Sequence, residues 1–328
     1  MTRYSPLPST SKDSESLLER ASKKYDLGDI RRTSAVKAAS KDGNQHTASG
    51  SDPMQALPSD TPESHAAVQQ SHRPDLGDAP TQAARKLRHI DRTALREANF
   101  IIPDGPVSGL SEEFRIVKRQ LLQNAEEDTG PDGGLARRIL ICSAKSGDGK
   151  TFCAVNLALS IAAERDYRVI LVDADFAKPG VSRIFGLDRE QGLMDALSNP
   201  DIAINNCIVD TDIPGFSVLP AGKQTNNDTE YLASSRTSAL LAQLALDDPH
   251  RILIFDSPPA LSASPASELA NHVGQALMVV RADKTSESAL SDALTLVARC
   301  PNIQLLLNGA KFSPTGRSFG SYYGYGEQ

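Results

Sequence analysis

Apolar runs of four or five residues punctuate the chain from Arg138 onward: Arg138–Cys142, Arg168–Val172, Phe216–Leu219, Ile252–Phe255, Ala276–Val280 and Ile303–Leu307. Runs this short and this continuously aliphatic read as strands buried on both faces. Between most of them apolar residues recur at helical spacing, over Lys150–Glu164, Ala233–Leu246, Ala266–His272 and Glu287–Ala298. The alternation predicts an α/β fold, a mostly parallel sheet with helices on both faces. Ahead of it, Ser111 to Asn124 (SEEFRIVKRQLLQN) predicts an amphipathic helix. Phe114, Val117, Leu121 and Leu122 share one face, while Glu112, Arg115, Lys118 and Arg119 occupy the remainder. Helix-like spacing begins at Gln82, and a turn, TGPDGG, follows Glu127.

The first hundred residues follow another pattern. No aromatic residue occurs between Tyr25 and Phe100, and residues 38–82 are rich in Ser, Pro, Asp, Gln, Gly and Ala. Such a stretch cannot bury enough apolar surface to offset its ordering entropy and is expected to be disordered. Before it, Ser14 can cap a short helix reaching Lys24, with Leu17, Leu18 and Ala21 on one face. That helix either docks on something or frays. The expected organisation is therefore an N-terminal segment 1–37 with a short amphipathic helix, a disordered linker 38–82, an α/β domain 83–312 and a flexible tail 313–328.

Composition narrows the class. Of 328 residues 39% are hydrophobic and 23% charged, and the net charge of −6 argues against nucleic acid as a partner. The cysteines Cys142, Cys153, Cys207 and Cys300 fit no zinc spacing and read as reduced thiols. No apolar stretch approaches the roughly 20 residues of a membrane span, and the N-terminus has no signal-like core. A cytoplasmic protein is expected, any membrane association coming through a partner.

The strongest chemical signal is SAKSGDGKT, Ser143 to Thr151, which follows a strand and opens a helix. Gly147 and Gly149 let the backbone curl so that successive N–H groups point at phosphate oxygens, and the helix N-terminus adds partial positive charge. Lys150 is expected to reach the outer phosphates and Thr151 to offer its hydroxyl to Mg²⁺. Ser146, Gly147, Asp148, Gly149, Lys150, Thr151 and Phe152 are the candidate nucleotide contacts. Ala144 stands where the usual pattern has its first glycine, a position that needs a small residue.

Two more strands end in carboxylates. VILVDADFAKP, Val169 to Pro179, carries Asp173 and Asp175, and RILIFDSPP, Arg251 to Pro259, carries Asp256. In a parallel sheet such ends meet at one crevice, so all three can face the phosphates. The chain ends in SFGSYYGYGEQ, with Tyr322, Tyr323 and Tyr325 in its last seven residues. Beside an ATP site these become candidate phosphoacceptors. A tyrosine hydroxyl has a pKa near 10, so a carboxylate base aimed at it would help. The seventeen residues that follow Asn308, up to Tyr325, span at most roughly 55 Å when extended, so reach is no obstacle.

These motifs resemble the bacterial tyrosine kinases of exopolysaccharide synthesis, which are built on a MinD-like P-loop fold. The resemblance covers about Ser111 to the C-terminus. SAKSGDGKT is similar to the family's Walker A motif, VDADFAKP to its Walker A′, ILIFDSPP to its Walker B, and SYYGYG to its autophosphorylated cluster. More narrowly, the N-terminal SLLERASKK resembles the subgroup encoded at exosortase and PEP-CTERM loci. The resemblance implies ATP and Mg²⁺ as cofactors, with Lys150 and Thr151 on the phosphates and metal, and Asp175 and Asp256 organising the metal. It implies Asp173 as the base, the roles of Asp173 and Asp175 being open to exchange, and Asn308 in LLLNGAK as a reader of adenine. Glu112–Arg119 resembles the family's EX2RX2R helix, which implies a homo-oligomeric ring. Lys118 stands there in place of the last arginine, Ser146 in place of the loop's usual proline, and Ala177 in place of a common arginine. The implied partners are a membrane polysaccharide copolymerase, a Wzz-like chain-length determinant, as activator, and a cognate tyrosine phosphatase. Lys145 leaves open an alternative, a MinD- or ParA-type ATPase switch without kinase activity, against which the terminal tyrosines weigh.

Overall fold

The computed structural model describes residues 87–128 and 134–310. The expected helix at 14–24, the linker 38–82 and the tail with Tyr322, Tyr323 and Tyr325 lie outside the described residues.

In chain order the elements are β1 (Leu87–Arg88), α1 (Arg92–Glu97), α2 (Gly109–Glu127), a 3₁₀ turn (Leu135–Arg137), β2 (Arg138–Ser143), α3 (Lys150–Ala162), β3 (Arg168–Asp173), α4 (Gly180–Ile184), α5 (Leu193–Ser198), α6 (Ile204–Cys207), β4 (Val209–Thr211), β5 (Phe216–Leu219), α7 (Asp228–Leu232), α8 (Ser235–Leu246), β6 (Arg251–Asp256), α9 (Pro265–Leu269), β7 (Gln275–Arg281), α10 (Glu287–Leu296) and β8 (Asn302–Asn308). Each apolar run expected to be a strand is one. Two strands, β1 and β4, are too short to carry a periodic signal. The helix expected over Ala233–Leu246 starts instead at Ser235, because Ser234 is its N-cap and its side chain accepts the Thr237 N–H. Ser108 likewise caps α2, in a box completed by Ser111.

The strands form one sheet in the order β1-β4-β5-β3-β6-β2-β7-β8. Among the described residues only the β4–β5 pair is antiparallel. Alternate residues of each strand face opposite sides. Leu140, Cys142, Val172 and Phe255 pack toward Leu241, Leu269 and Ala293 of α8, α9 and α10. Ile139, Ile141, Leu171 and Ile254 pack toward Leu121 of α2 and Leu157 of α3. The sheet is thus covered on both faces, which explains why its central strands read as unbroken apolar runs. All four cysteines are buried free thiols.

Lys118 corrects the sequence reading, which put it on the polar remainder of α2. It is buried, at 7% exposure, on the same stripe as Phe114, Leu122 and Ala125. Its Nζ donates to the Ser160 carbonyl at 2.8 Å and pairs with Glu164 at 2.6 Å. Ser160 lies in the last turn of α3, where carbonyls lack intrahelical partners and the helix carries partial negative charge. Periodicity along α2 cannot register that a neighbouring helix ends beneath it. Arg115 and Arg119 are exposed as expected.

Candidate functional site

Strand order brings three chain segments to one edge. β6 lies between β2 and β3, with Asp256 in register with Ile141 on one side and Asp173 on the other. The loop after β2 therefore sits beside both carboxylate-bearing strand ends.

That loop is braced from within. The Ser143 hydroxyl donates to the Lys145 carbonyl at 2.7 Å, and the Lys145 N–H donates to the Asp148 carboxylate at 3.0 Å. Gly147 and Gly149 have φ of +84° and +98°, a region L side chains rarely adopt. A Cβ at Gly147 would meet nothing within 4 Å, so backbone conformation alone demands glycine there. Helix α3 begins at Lys150 with no side-chain cap on its N-terminus. The first N–H groups of such a helix have no intrahelical partner and suit an anion. Lys150 is buried, at 7% exposure, among the strand ends.

The carboxylates differ. Asp256 is fully buried, and the Thr151 hydroxyl donates to its Oδ2 at 2.6 Å. Its Oδ1 is buried with no hydrogen-bond partner. Burial pushes this carboxyl up to about 7, the charge of Asp173 adding to the shift and the Thr151 hydrogen bond and Lys150 charge opposing it. Asp173 is also fully buried, but both its oxygens are engaged: Oδ2 accepts the Ser182 N–H at 2.7 Å and Oδ1 the Asp175 N–H at 3.3 Å. Burial raises it to about 6 against those bonds. Asp175 is half-buried; its Oδ1 accepts the Lys178 N–H at 3.1 Å. Its pKa is raised by burial, held back by that hydrogen bond and by the Lys150 and Lys178 charges.

An orphaned buried carboxylate oxygen is costly unless something charged or polar meets it. Asp256, with Oδ1 orphaned and the Thr151 hydroxyl on Oδ2, therefore fits a divalent cation. Among the described residues no three His, Cys, Asp or Glu groups converge as a protein-only metal cage. Magnesium suits such a place, because it keeps waters and takes phosphate oxygens beside one or two carboxylates.

The remaining expected contacts are less uniform. Ser146 is exposed at the loop tip. The Phe152 ring stacks on Phe100 at 5.6 Å and packs into the core of the α2–α3 face, so only its backbone is left to meet a nucleotide. Asn308, at the end of β8, donates its Nδ2 to the Asp148 carbonyl at 2.8 Å. Sequence reasoning missed the internal braces at Ser143 and Asp148, although Asp148 three residues after Lys145 is a local hydrogen-bonding signal. It also missed Ser182, whose N–H holds Asp173, and Gly180, where a Cβ would press on Thr151 Cγ2 at 3.0 Å.

With this geometry in view, comparison with known proteins is informative. Residues 136–304 match the family model described as an AAA domain. The putative tyrosine-protein kinase CapB of Staphylococcus aureus is 28% identical over 229 residues, covering 69% of this chain and 94% of CapB. The tyrosine-protein kinase ptk of Acinetobacter johnsonii is 33% identical over 174 residues, 53% of this chain but only 23% of that much longer protein. Among solved structures, the kinase domain of the Escherichia coli tyrosine kinase ETK superposes with a TM-score of 0.55 at 25% identity. That match covers 73% of this chain and 94% of that one.

Proposed function

We propose, on the premise that this chain belongs to the AAA domain family, that it is an ATP-dependent protein-tyrosine autokinase of the bacterial type serving exopolysaccharide biosynthesis or export. One observation carries the reading. An uncapped glycine loop at a helix N-terminus adjoins a buried carboxylate with an orphaned oxygen and a threonine hydroxyl on its other oxygen. That is the donor set a magnesium nucleotide requires. Relatives named tyrosine-protein kinases support the choice of chemistry.

In this reading the loop from Ser146 to Gly149 and the first turn of α3, including the Phe152 backbone, bind the phosphates. Lys150 neutralises their charge, and Thr151 with Asp256 holds Mg²⁺. The metal, when bound, supplies charge neutralisation on the phosphate oxygens. Of the two roles left open between Asp173 and Asp175, the base falls to Asp175. Both oxygens of Asp173 are taken by backbone N–H groups, whereas Asp175 is partly open. Asp173 then positions the loop that carries Asp175. The hydroxyl oxygen of Tyr322, Tyr323 or Tyr325 forms a bond to the γ-phosphorus as the bond to the ADP oxygen breaks. The hydroxyl proton passes to Asp175.

The same proposal takes in the wider setting: a kinase domain over 83–312 between a disordered linker and a flexible tyrosine tail, a homo-oligomer, and activation by a membrane polysaccharide copolymerase. A cognate phosphatase would reverse the modification. Among the described residues no helix is long and apolar enough to cross a membrane. The proposal places contact with the inner membrane on the partner. The test is mass spectrometry of the full chain after incubation with ATP and Mg²⁺, beside Lys150→Ala, with the partner's cytoplasmic segment added. Phosphate on the tail tyrosines of the wild type and none in the variant is expected. An unmodified tail with ATP still hydrolysed would overturn the kinase reading in favour of a switch ATPase.

A further inference from the structure

Asn308 is joined to the phosphate loop by an interaction that spans the chain. Its backbone is fixed by the sheet: Asn308 is in register with Arg281 on β7, and its carbonyl accepts the Ala282 N–H at 2.9 Å. Its carboxamide then reaches across the strand ends, and Nδ2 donates to the Asp148 carbonyl at 2.8 Å. The approach is close. A Cβ at Gly149 would lie 2.1 Å from that nitrogen, so Gly149 serves both its own φ of +98° and the clearance that Asn308 needs.

The bond completes a ladder. Ser143 holds the Lys145 carbonyl, the Lys145 N–H is held by the Asp148 carboxylate, and the Asp148 carbonyl is held by Asn308. Three side chains thus fix the course of the loop between β2 and α3. The last of them comes from the opposite end of the domain. Because a carbonyl pinned outward obliges the next peptide N–H to point the other way, the Asn308 bond bears on where the Gly149 N–H points. A loop left to find that orientation only on binding would lose affinity to the ordering.

We propose that Asn308 is a positioning residue of the phosphate loop, acting on the phosphates through the Asp148 carbonyl, in addition to any contact its remaining N–H and Oδ1 make with a base. This rests on the nucleotide-binding reading above. The chain turns at Gly309, φ +69°, directly after Asn308, the last residue of β8.

A ligand without a base separates the two roles. Binding of magnesium tripolyphosphate and of magnesium ATP to the full chain is measured by titration calorimetry, for wild type, Asn308→Ala, Asn308→Leu and Lys150→Ala. Positioning predicts that Asn308→Ala weakens tripolyphosphate binding about three- to tenfold, the size of one lost hydrogen bond. ATP should weaken by at least as much. Asn308→Leu, close in size, uncharged and lacking the donor, should do no better, and it stands in if the alanine variant fails to fold. Tripolyphosphate binding by both variants equal to wild type, whatever happens to ATP, overturns the proposal and leaves Asn308 a base contact. If Lys150→Ala also binds tripolyphosphate normally, or the wild type binds none, the nucleotide-site reading falls and takes this inference with it.

Discussion

Asp256→Asn should raise the stability of the nucleotide-free protein above neutral pH while abolishing magnesium-dependent nucleotide binding. Asp256 is fully buried, and its carboxyl rises from 3.8 to about 7. At about 1.4 kcal/mol per unit, holding it ionised in the folded state costs up to about 4 kcal/mol. The sign follows from the raised value. Stability is fully present below pH 4, declines as pH rises from about 4 to about 7, and is flat beyond. Asparagine removes that decline. The Thr151 hydroxyl can still donate to the amide oxygen, but the amide NH₂ then occupies the place of the orphaned Oδ1, at a cost of about 1–3 kcal/mol. The net gain above pH 7 is about 1–3 kcal/mol, or about 3–10 °C in melting temperature for a domain of this size. Thermal melts in EDTA at pH 5 and pH 8 measure it. The gap between variant and wild type should open with pH, and saturating ATP with Mg²⁺ should raise the melting temperature of the wild type alone. A gap that does not change with pH, or a variant less stable than wild type at pH 8, would refute the account of Asp256 as a strained, cation-seeking carboxylate.

Three further outcomes are expected. Lys118→Ala should cost about 1–3 kcal/mol in urea unfolding, because it strips the Ser160 carbonyl and a buried stem, while alanine at exposed Arg115 or Arg119 should stay within about 0.5 kcal/mol; equal effects at all three would restore Lys118 to the polar face. Gly192→Ala should cost at least about 3 kcal/mol or prevent folding, since its Cβ would lie 2.0 Å from the Pro220 carbonyl oxygen and 2.4 Å from the Gly222 nitrogen, both backbone atoms; a soluble variant melting like wild type would contradict that packing. Deleting residues 38–82 should leave ATP hydrolysis nearly unchanged, and a large loss would show that the segment has an ordered role.

Much of the molecule was legible in the chain. Continuous apolar runs alternating with helical periodicity specify a covered parallel sheet, because only strands buried on both faces can forgo polar positions. GDGKT between a strand and a helix specifies a phosphate loop, because its glycines and its helix start are local features. The strand-ending carboxylates Asp173, Asp175 and Asp256 were recognisable for the same reason. The family resemblance drawn from those motifs agrees with the relatives found.

What the sequence could not decide depends on neighbours distant along the chain. Nothing local separates Asp173 from Asp175, two residues apart on one strand end. The fold separates them by placing the Ser182 N–H against the first and leaving the second partly open. Lys118 looks polar along its helix and is buried because α3 ends beneath it. Asn308 meets Asp148 across 160 residues because β8 and the loop after β2 reach the same edge of the sheet. Periodicity and local motifs fix which elements form and what chemistry they carry. Which of those groups is engaged, orphaned or free is set by hydrogen bonds and burial that exist only once the strands are ordered side by side.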